Sequence, residues 1–169
     1  MAPKGYLIVN NIGKRENVKS LVQSSIAFGM EVLIAGQPSF AVETHVPLGI
    51  SSRLALLLKS HVSNRDDFHV HQFASLEECT TWVHDQGALV VGVEIVEDAV
   101  NVEQSPFAGS SAFLMGNEGS GMSARQKRCC DSFIIISQYG GGTASLNVAV
   151  ACTLVLERFW SWTNQSQQT

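Results

Sequence analysis

Short apolar or alternating runs recur along this chain at Tyr6–Val9, Val32–Ala35, Phe68–Phe73, Ala88–Val93, Ala112–Met115 and Phe133–Ile136. Each is too short for a helix that crosses a core, and Gly, Pro or Asn follows several of them. Runs of this kind read as buried strands. The stretches between them have helical spacing. From Asn17 to Phe28, small or apolar residues fall at Val18, Leu21, Val22, Ser25 and Ile26, and Gly29 follows as a C-terminal stop. Ser75 with Glu78 three residues on forms a capping box, and Gly87 ends that helix. Ser123–Cys130 reads as a short helix and Ala144–Trp162 as a long final one. Strands that alternate with helices predict an α/β domain with a mostly parallel sheet and helices on both faces. Ala88–Val93 is continuously apolar, as a strand covered on both faces must be.

No repeat, low-complexity linker or Pro-rich break interrupts the pattern, so residues 1–169 read as a single domain. The segment 40–67 fits it least. Within it, Arg53–Val62 is either an inserted amphipathic helix or a loop.

Composition removes several classes. Hydrophobic residues make up 45% and charged residues 15%, which excludes a disordered chain. No apolar run approaches the roughly 18–20 residues of a membrane span, and the N-terminus lacks the apolar core of a secretory signal. Cys79, Cys129, Cys130 and Cys152 have no metal-clamp spacing, so they read as reduced thiols of a cytosolic protein. The five histidines form no HxxxH pattern, and no metal is expected. His69 and His71 share one face of a strand. The net charge of -4 argues against binding nucleic acid by bulk charge.

Ligands on parallel sheets sit beyond the carboxyl ends of the strands. Two segments there are unlike ordinary turns. In Phe113-Leu-Met-Gly-Asn-Glu-Gly-Ser-Gly-Met-Ser123, a strand runs into Gly116, Gly119 and Gly121 around Asn117 and Glu118. The spacing is neither that of a dinucleotide fold nor that of a P-loop. In Ile134-Ile-Ile-Ser-Gln-Tyr-Gly-Gly-Gly-Thr-Ala-Ser-Leu-Asn147, a strand passes through a triple glycine into a helix start. There either Ser145 and Asn147 face a polar ligand near the helix start, or a flexible loop simply ends in a helix cap at Thr143 or Ser145.

Together the two segments resemble motifs 2 and 3 of the SpoU (TrmH-type) RNA ribose 2′-O-methyltransferases of the SPOUT superfamily. Motif 2 corresponds to Gly116–Gly121, and motif 3 to Ser145-Leu146-Asn147-Val148 with the small residues after it. Motif 1 corresponds to Asn17…Gln23…Ala27-Phe28-Gly29. The resemblance implies a deep trefoil knot in the C-terminal part, a homodimer, and S-adenosylmethionine bound without metal. By position, the cofactor then lies against Val93, Gly116, Asn117, Gly121, Ile136, Gln138, Leu146 and Asn147, with Glu94 nearby. The implied reaction is methyl transfer to a ribose 2′-hydroxyl of RNA, tRNA above all. Asn17, Glu118, Ser145 and Asn147 match the family's polar site positions.

Position 23 departs from the family, which has Arg where this chain has Gln23. A glutamine amide carries no charge with which to stabilise an alkoxide. Lys19 lies one turn earlier on the same helical face and is the candidate substitute. The alternative is a catalytically impaired dimer that keeps the fold and binds S-adenosylmethionine or RNA. The charge distribution also reopens RNA binding. Glu77–Glu103 holds seven acids and no Lys or Arg, whereas Lys4, Lys14, Arg15 and Lys19 surround motif 1 and Arg125, Lys127 and Arg128 follow motif 2.

Overall fold

The computed structural model describes residues 2–36, 69–141 and 145–165. The segment 40–67, and with it Arg53–Val62, lies outside the described residues, as do Thr143 and Ala144. Seven strands are described: β1 (Gly5–Val9), β2 (Glu31–Ala35), β3 (Val70–Phe73), β4 (Leu89–Val93), β5 (Val100–Asn101), β6 (Ser111–Met115) and β7 (Ser132–Ile135). They form one sheet in the order β3-β2-β1-β6-β4-β7-β5. Every pairing is parallel. The described α-helices are α1 (Arg15–Ala27), α2 (Leu76–Asp85), α3 (Ala124–Arg128) and α4 (Val148–Gln165).

Strand alternation sends neighbouring side chains to opposite faces. Leu7, Val9, Val32, Ile34, Phe113 and Met115 join Val18, Leu21 and Val22 of α1 and Cys152, Val155, Leu156 and Phe159 of α4 in one core. Tyr6, Ile8, Leu33, Ala112 and Leu114 meet Leu76, Cys79 and Val83 of α2 on the other. The α/β sheet with helices on both faces is therefore observed.

The glycine stops behave as read, and of the expected Ser75–Glu78 box only the Ser75 half forms, Glu78 reaching Ala74 instead. Gly29, Gly36 and Gly87 take φ values of +66°, +60° and +70°. The Ser75 hydroxyl accepts from Glu78 N at 3.1 Å, and the Glu78 carboxylate accepts from Ala74 N at 2.9 Å. Ser123 and Gln126 form a full capping box at the start of α3.

The final helix is a correction. It begins at Val148, not Ala144, because the Asn147 side chain takes the cap. Its Oδ1 accepts from Ala149 N at 2.8 Å, while its carbonyl accepts from Ala151 N at 2.9 Å. The helix also runs past Trp162 to Gln165. Trp162 packs on Phe107 and Phe159, with ring centroids 5.6 and 5.7 Å away, so it closes the core, whereas Trp160 is half exposed.

The strand order has a functional consequence. From β1 the chain first moves to β2 and β3 on one side, and later to β4, β6, β7 and β5 on the other. The carboxyl ends around this reversal form the crevice where such sheets hold ligands.

Candidate functional site

Three loops meet above that crevice. One joins β1 to α1, one follows β6, and one joins β7 to α4. Beside them, over the ends of β4, β6 and β7, lies a cleft of about 330 Å³, within the range of small-ligand sites, about 300–1,000 Å³. Val93, Met115, Ile136, Leu146 and Val148 supply apolar wall, while Glu94, Asn117, Gln138 and Ser145 supply polar groups.

The motif 2 loop is a tight hairpin. Asn117 and Gly121 exchange backbone hydrogen bonds, both 3.0 Å long. Asn117 Oδ1 accepts from Gly119 N at 3.0 Å, and its Nδ2 donates to the Asn11 carbonyl at 2.8 Å. Gly121 sits at φ +67°, where a Cβ would be strained whatever the space. A Cβ on Gly116 would come within 3.1 Å of the Gly121 carbonyl carbon. The glycines thus let the hairpin close tightly at the edge of the cleft.

The hairpin delivers Glu118 to the first loop. Its Oε1 accepts from Asn17 Nδ2 at 2.9 Å and from Lys14 N at 3.0 Å, and its Oε2 accepts from Gly13 N at 3.2 Å. Asn147 Nδ2 in turn donates to Asn17 Oδ1 at 3.1 Å. The amide orientations follow from the partners. Asn147 must turn its oxygen to the helix N–H groups, so its NH₂ faces Asn17, whose own NH₂ then faces the carboxylate. A relay Asn147–Asn17–Glu118 therefore ties together all three sequence motifs. Asn17 is 7% exposed, so the middle of this relay is buried. Asn17 is no helix cap: α1 starts at Arg15, with Lys14 in the cap position.

Partial burial alone would raise the Glu118 pKa. The Asn17 amide and the backbone N–H groups of Lys14 and Gly13 outweigh it and bring the carboxyl down from 4.5 to about 2. Glu118 is thus ionised at neutral pH and saturated with donors, which makes it an anchor and a poor proton acceptor. A depressed carboxyl adds stability above its unfolded pKa and loses it as pH falls through the folded one. The melting temperature of the parent should therefore exceed that of Glu118→Gln above about pH 4.5. The gap should close as the pH approaches 2, read by thermal unfolding of both across that range. A gap that does not vary with pH would refute this coupling.

The sequence-read residues divide into two groups. Val93, Gly116, Asn117, Gly121, Ile136, Gln138, Leu146, Glu118 and Ser145 all line the cleft. Asn147 stands beside it in the relay, and Asn17 joins through Glu118. Lys19 and Gln23 are half-buried on α1 and do not line the cleft of their own chain. Sequence reading gave Glu94 no role beyond proximity and passed over Ile95, which also lines the cleft. The available signal was their place directly after a continuous apolar strand.

A parallel sheet that carries a glycine-edged cleft of small-ligand size over the ends of β4, β6 and β7 defines an α/β domain with a candidate ligand site. Residues 4–157 match the SpoU rRNA Methylase family, and the chain belongs to that family. It is 29% identical over 154 residues to an uncharacterized tRNA/rRNA methyltransferase of Mycolicibacterium vanbaalenii, covering 91% of this chain and 45% of that protein. Over the same length it is 22% identical to the tRNA (guanosine(18)-2′-O)-methyltransferase of Escherichia coli K12, covering 91% of this chain and 62% of that protein. The chain thus spans about half the length of the curated relatives it matches. The SpoU methyltransferase AviRb from Streptomyces viridochromogenes, solved in complex with the cofactor AdoMet, superposes with a TM-score of 0.69 at 22% identity, covering 96% of this chain and 58% of that one.

Proposed function

We propose that this protein transfers a methyl group from S-adenosylmethionine to a ribose 2′-hydroxyl of RNA, with tRNA as the substrate class. The Asn147–Asn17–Glu118 relay carries the reading, because it unites three motifs that are far apart in sequence at one end of the sheet. The tRNA assignment rests on the likeness to the guanosine-18 enzyme.

The cleft fits the cofactor. Its apolar walls suit a purine, and Glu94, Asn117, Gln138 and Ser145 add polar groups around them. Bound there, S-adenosylmethionine supplies a methyl group activated on a sulfonium. Val93, Ile136 and Leu146 exclude water from it, while the hairpin from Gly116 to Gly121 sets the depth of the floor. Ser145 lines the mouth and orients a ribose there, while Asn147, held by Asn17 and the helix start, fixes the loop behind it. Orientation of the reacting groups supplies much of such a rate enhancement.

The protein acts as a homodimer in this reading, with the knot of its family at the C-terminal part and in the reducing cytosol. Val150, Leu154 and Trp160 leave apolar surface on the outer side of α4, 50%, 42% and 48% exposed. A second copy covers that surface. Because Lys19 and Gln23 do not line their own cleft, they serve a site only across such an interface. Lys19 then takes the place of the family arginine in helping the hydroxyl lose its proton. Lys19→Ala should lower the methyl-transfer rate about a hundredfold on unmodified tRNA, the scale of a lost acid–base group. Full activity in Lys19→Ala, or an inactive parent rescued by Gln23→Arg, would refute that role. The latter result would favour the impaired, binding-only protein. A ribose-methylation map of cellular RNA with and without the protein tests the reading as a whole: a lost 2′-O-methyl mark supports it, and an unchanged map contradicts it.

A further inference from the structure

Glu94 is the first residue beyond β4, and it lines the cleft. Its carboxylate is spoken for by backbone. Oε2 accepts from Met122 N at 2.6 Å, and Oε1 accepts from the adjacent Ile95 N at 3.0 Å. The Met122 bond is short and charge-assisted, and such bonds are about twice as strong as neutral ones. Among the described residues, no ion pair reaches Glu94.

The same carboxylate explains two glycines. A Cβ on Gly121 would stand 2.7 Å from Glu94 Oε2, and one on Gly116 would stand 3.2 Å from it. The side chain of Glu94 therefore fills the space that both glycines leave open. It crosses from the end of β4 to the base of the hairpin, just past the Asn117–Gly121 pairing. That hairpin forms the cleft floor and carries Glu118 into the relay.

We propose that Glu94 is a positioning residue: an anionic brace that fixes the spacing between the end of β4 and the glycine hairpin, and so the width of the cofactor cleft. The cofactor side of this inference rests on the reading above, whereas the brace itself does not. Without the carboxylate, Met122 N loses its partner and the hairpin keeps only its internal bonds and those from Glu118 and Asn117. The hairpin then no longer has a fixed distance from β4. Glutamine keeps one acceptor oxygen of the same reach and so keeps part of the brace.

The test uses the full chain with Glu94→Ala and Glu94→Gln, each checked for native melting. In the unliganded protein, Glu94→Ala should speed hydrogen exchange of the Met122 amide about tenfold, the scale of one lost charge-assisted bond. Calorimetry should show S-adenosylmethionine bound about tenfold more weakly, and turnover should show a raised cofactor KM with kcat lowered less than about threefold. Glu94→Gln should recover most of both effects. Gly121→Ala should also cost less stability in the Glu94→Ala background than in the parent, because the carboxylate it would strike is gone. That cycle decides the matter even if Glu94→Ala melts early. Unchanged Met122 exchange together with additive Gly121 and Glu94 effects would overturn the brace. If the parent binds no S-adenosylmethionine, the cofactor reading fails, while exchange and the cycle still decide the brace.

Discussion

Phe159→Ala should destabilise the protein by about 3–5 kcal/mol, the cost of emptying a fully packed aromatic site. Phe159 is 1% exposed. Its ring meets Phe107 and Phe113 edge to face, with centroids 5.3 and 5.2 Å away, and touches Trp162 at 5.7 Å. It also leans on the bare Cα of Gly5, where a Cβ would come within 2.8 Å of the ring. The site joins α4 to β1 and β6, so collapse of the cavity would have to move the sheet. Urea titration should show a lower midpoint with an unchanged slope, and the melting temperature should fall by roughly 8–15 °C for a chain of this size. A loss under about 1 kcal/mol would mean that α4 repacks freely, contrary to the core described.

Asn17→Ala should lower methyl transfer about a hundredfold, the scale seen when a well-placed donor leaves a catalytic site. Its Nδ2 is the side-chain donor to Glu118, and its Oδ1 is the acceptor that holds Asn147. Removing both uncouples the cleft hairpin from the start of α4. The stability cost should be smaller, about 1–2 kcal/mol, because Glu118 keeps the Gly13 and Lys14 N–H groups and Asn147 reaches solvent. Asn17→Asp keeps the shape and sets a carboxylate against Glu118, so it should be at least as harmful at neutral pH. Single-turnover rates read beside melting temperatures separate the two effects. Rates within twofold of the parent in Asn17→Ala would show that the relay is scaffold alone.

Much of this architecture was legible because local chemistry and global fold agree. Apolar runs became strands to within a residue or two, and Ser75 and Gly29 acted as read, although Glu78 closes on Ala74 N rather than on the Ser75 N of a full capping box. The start of α4 was not legible: Thr143 and Ser145 suit a cap by residue type, yet the fold gives that place to Asn147. The two-residue strand β5 was missed, since Val100–Asn101 has no period to detect. Its place comes from pairing with β7 and from Asn101 Nδ2, which donates to Ser137 Oγ at 2.6 Å. Strand order has no local signature either. The site residues emerged from motif order along the chain, but the contacts among them did not. The helical spacing was read from Asn17 onward, whereas α1 begins two residues before it. The sequence marked Glu94 only by its place after an apolar strand, because its distant partner is a backbone group 28 positions away.

The most direct measurement incubates the protein with unmodified tRNA and S-adenosylmethionine labelled on its methyl group, then digests the RNA with alkali. A methylated 2′-oxygen cannot attack the neighbouring phosphate, so label on ribose survives as an alkali-resistant dinucleotide. The label should appear there, and Asn17→Ala should remove most of it. Label released in mononucleotides, as from base methylation, or no transfer despite bound S-adenosylmethionine, would contradict the proposed reaction.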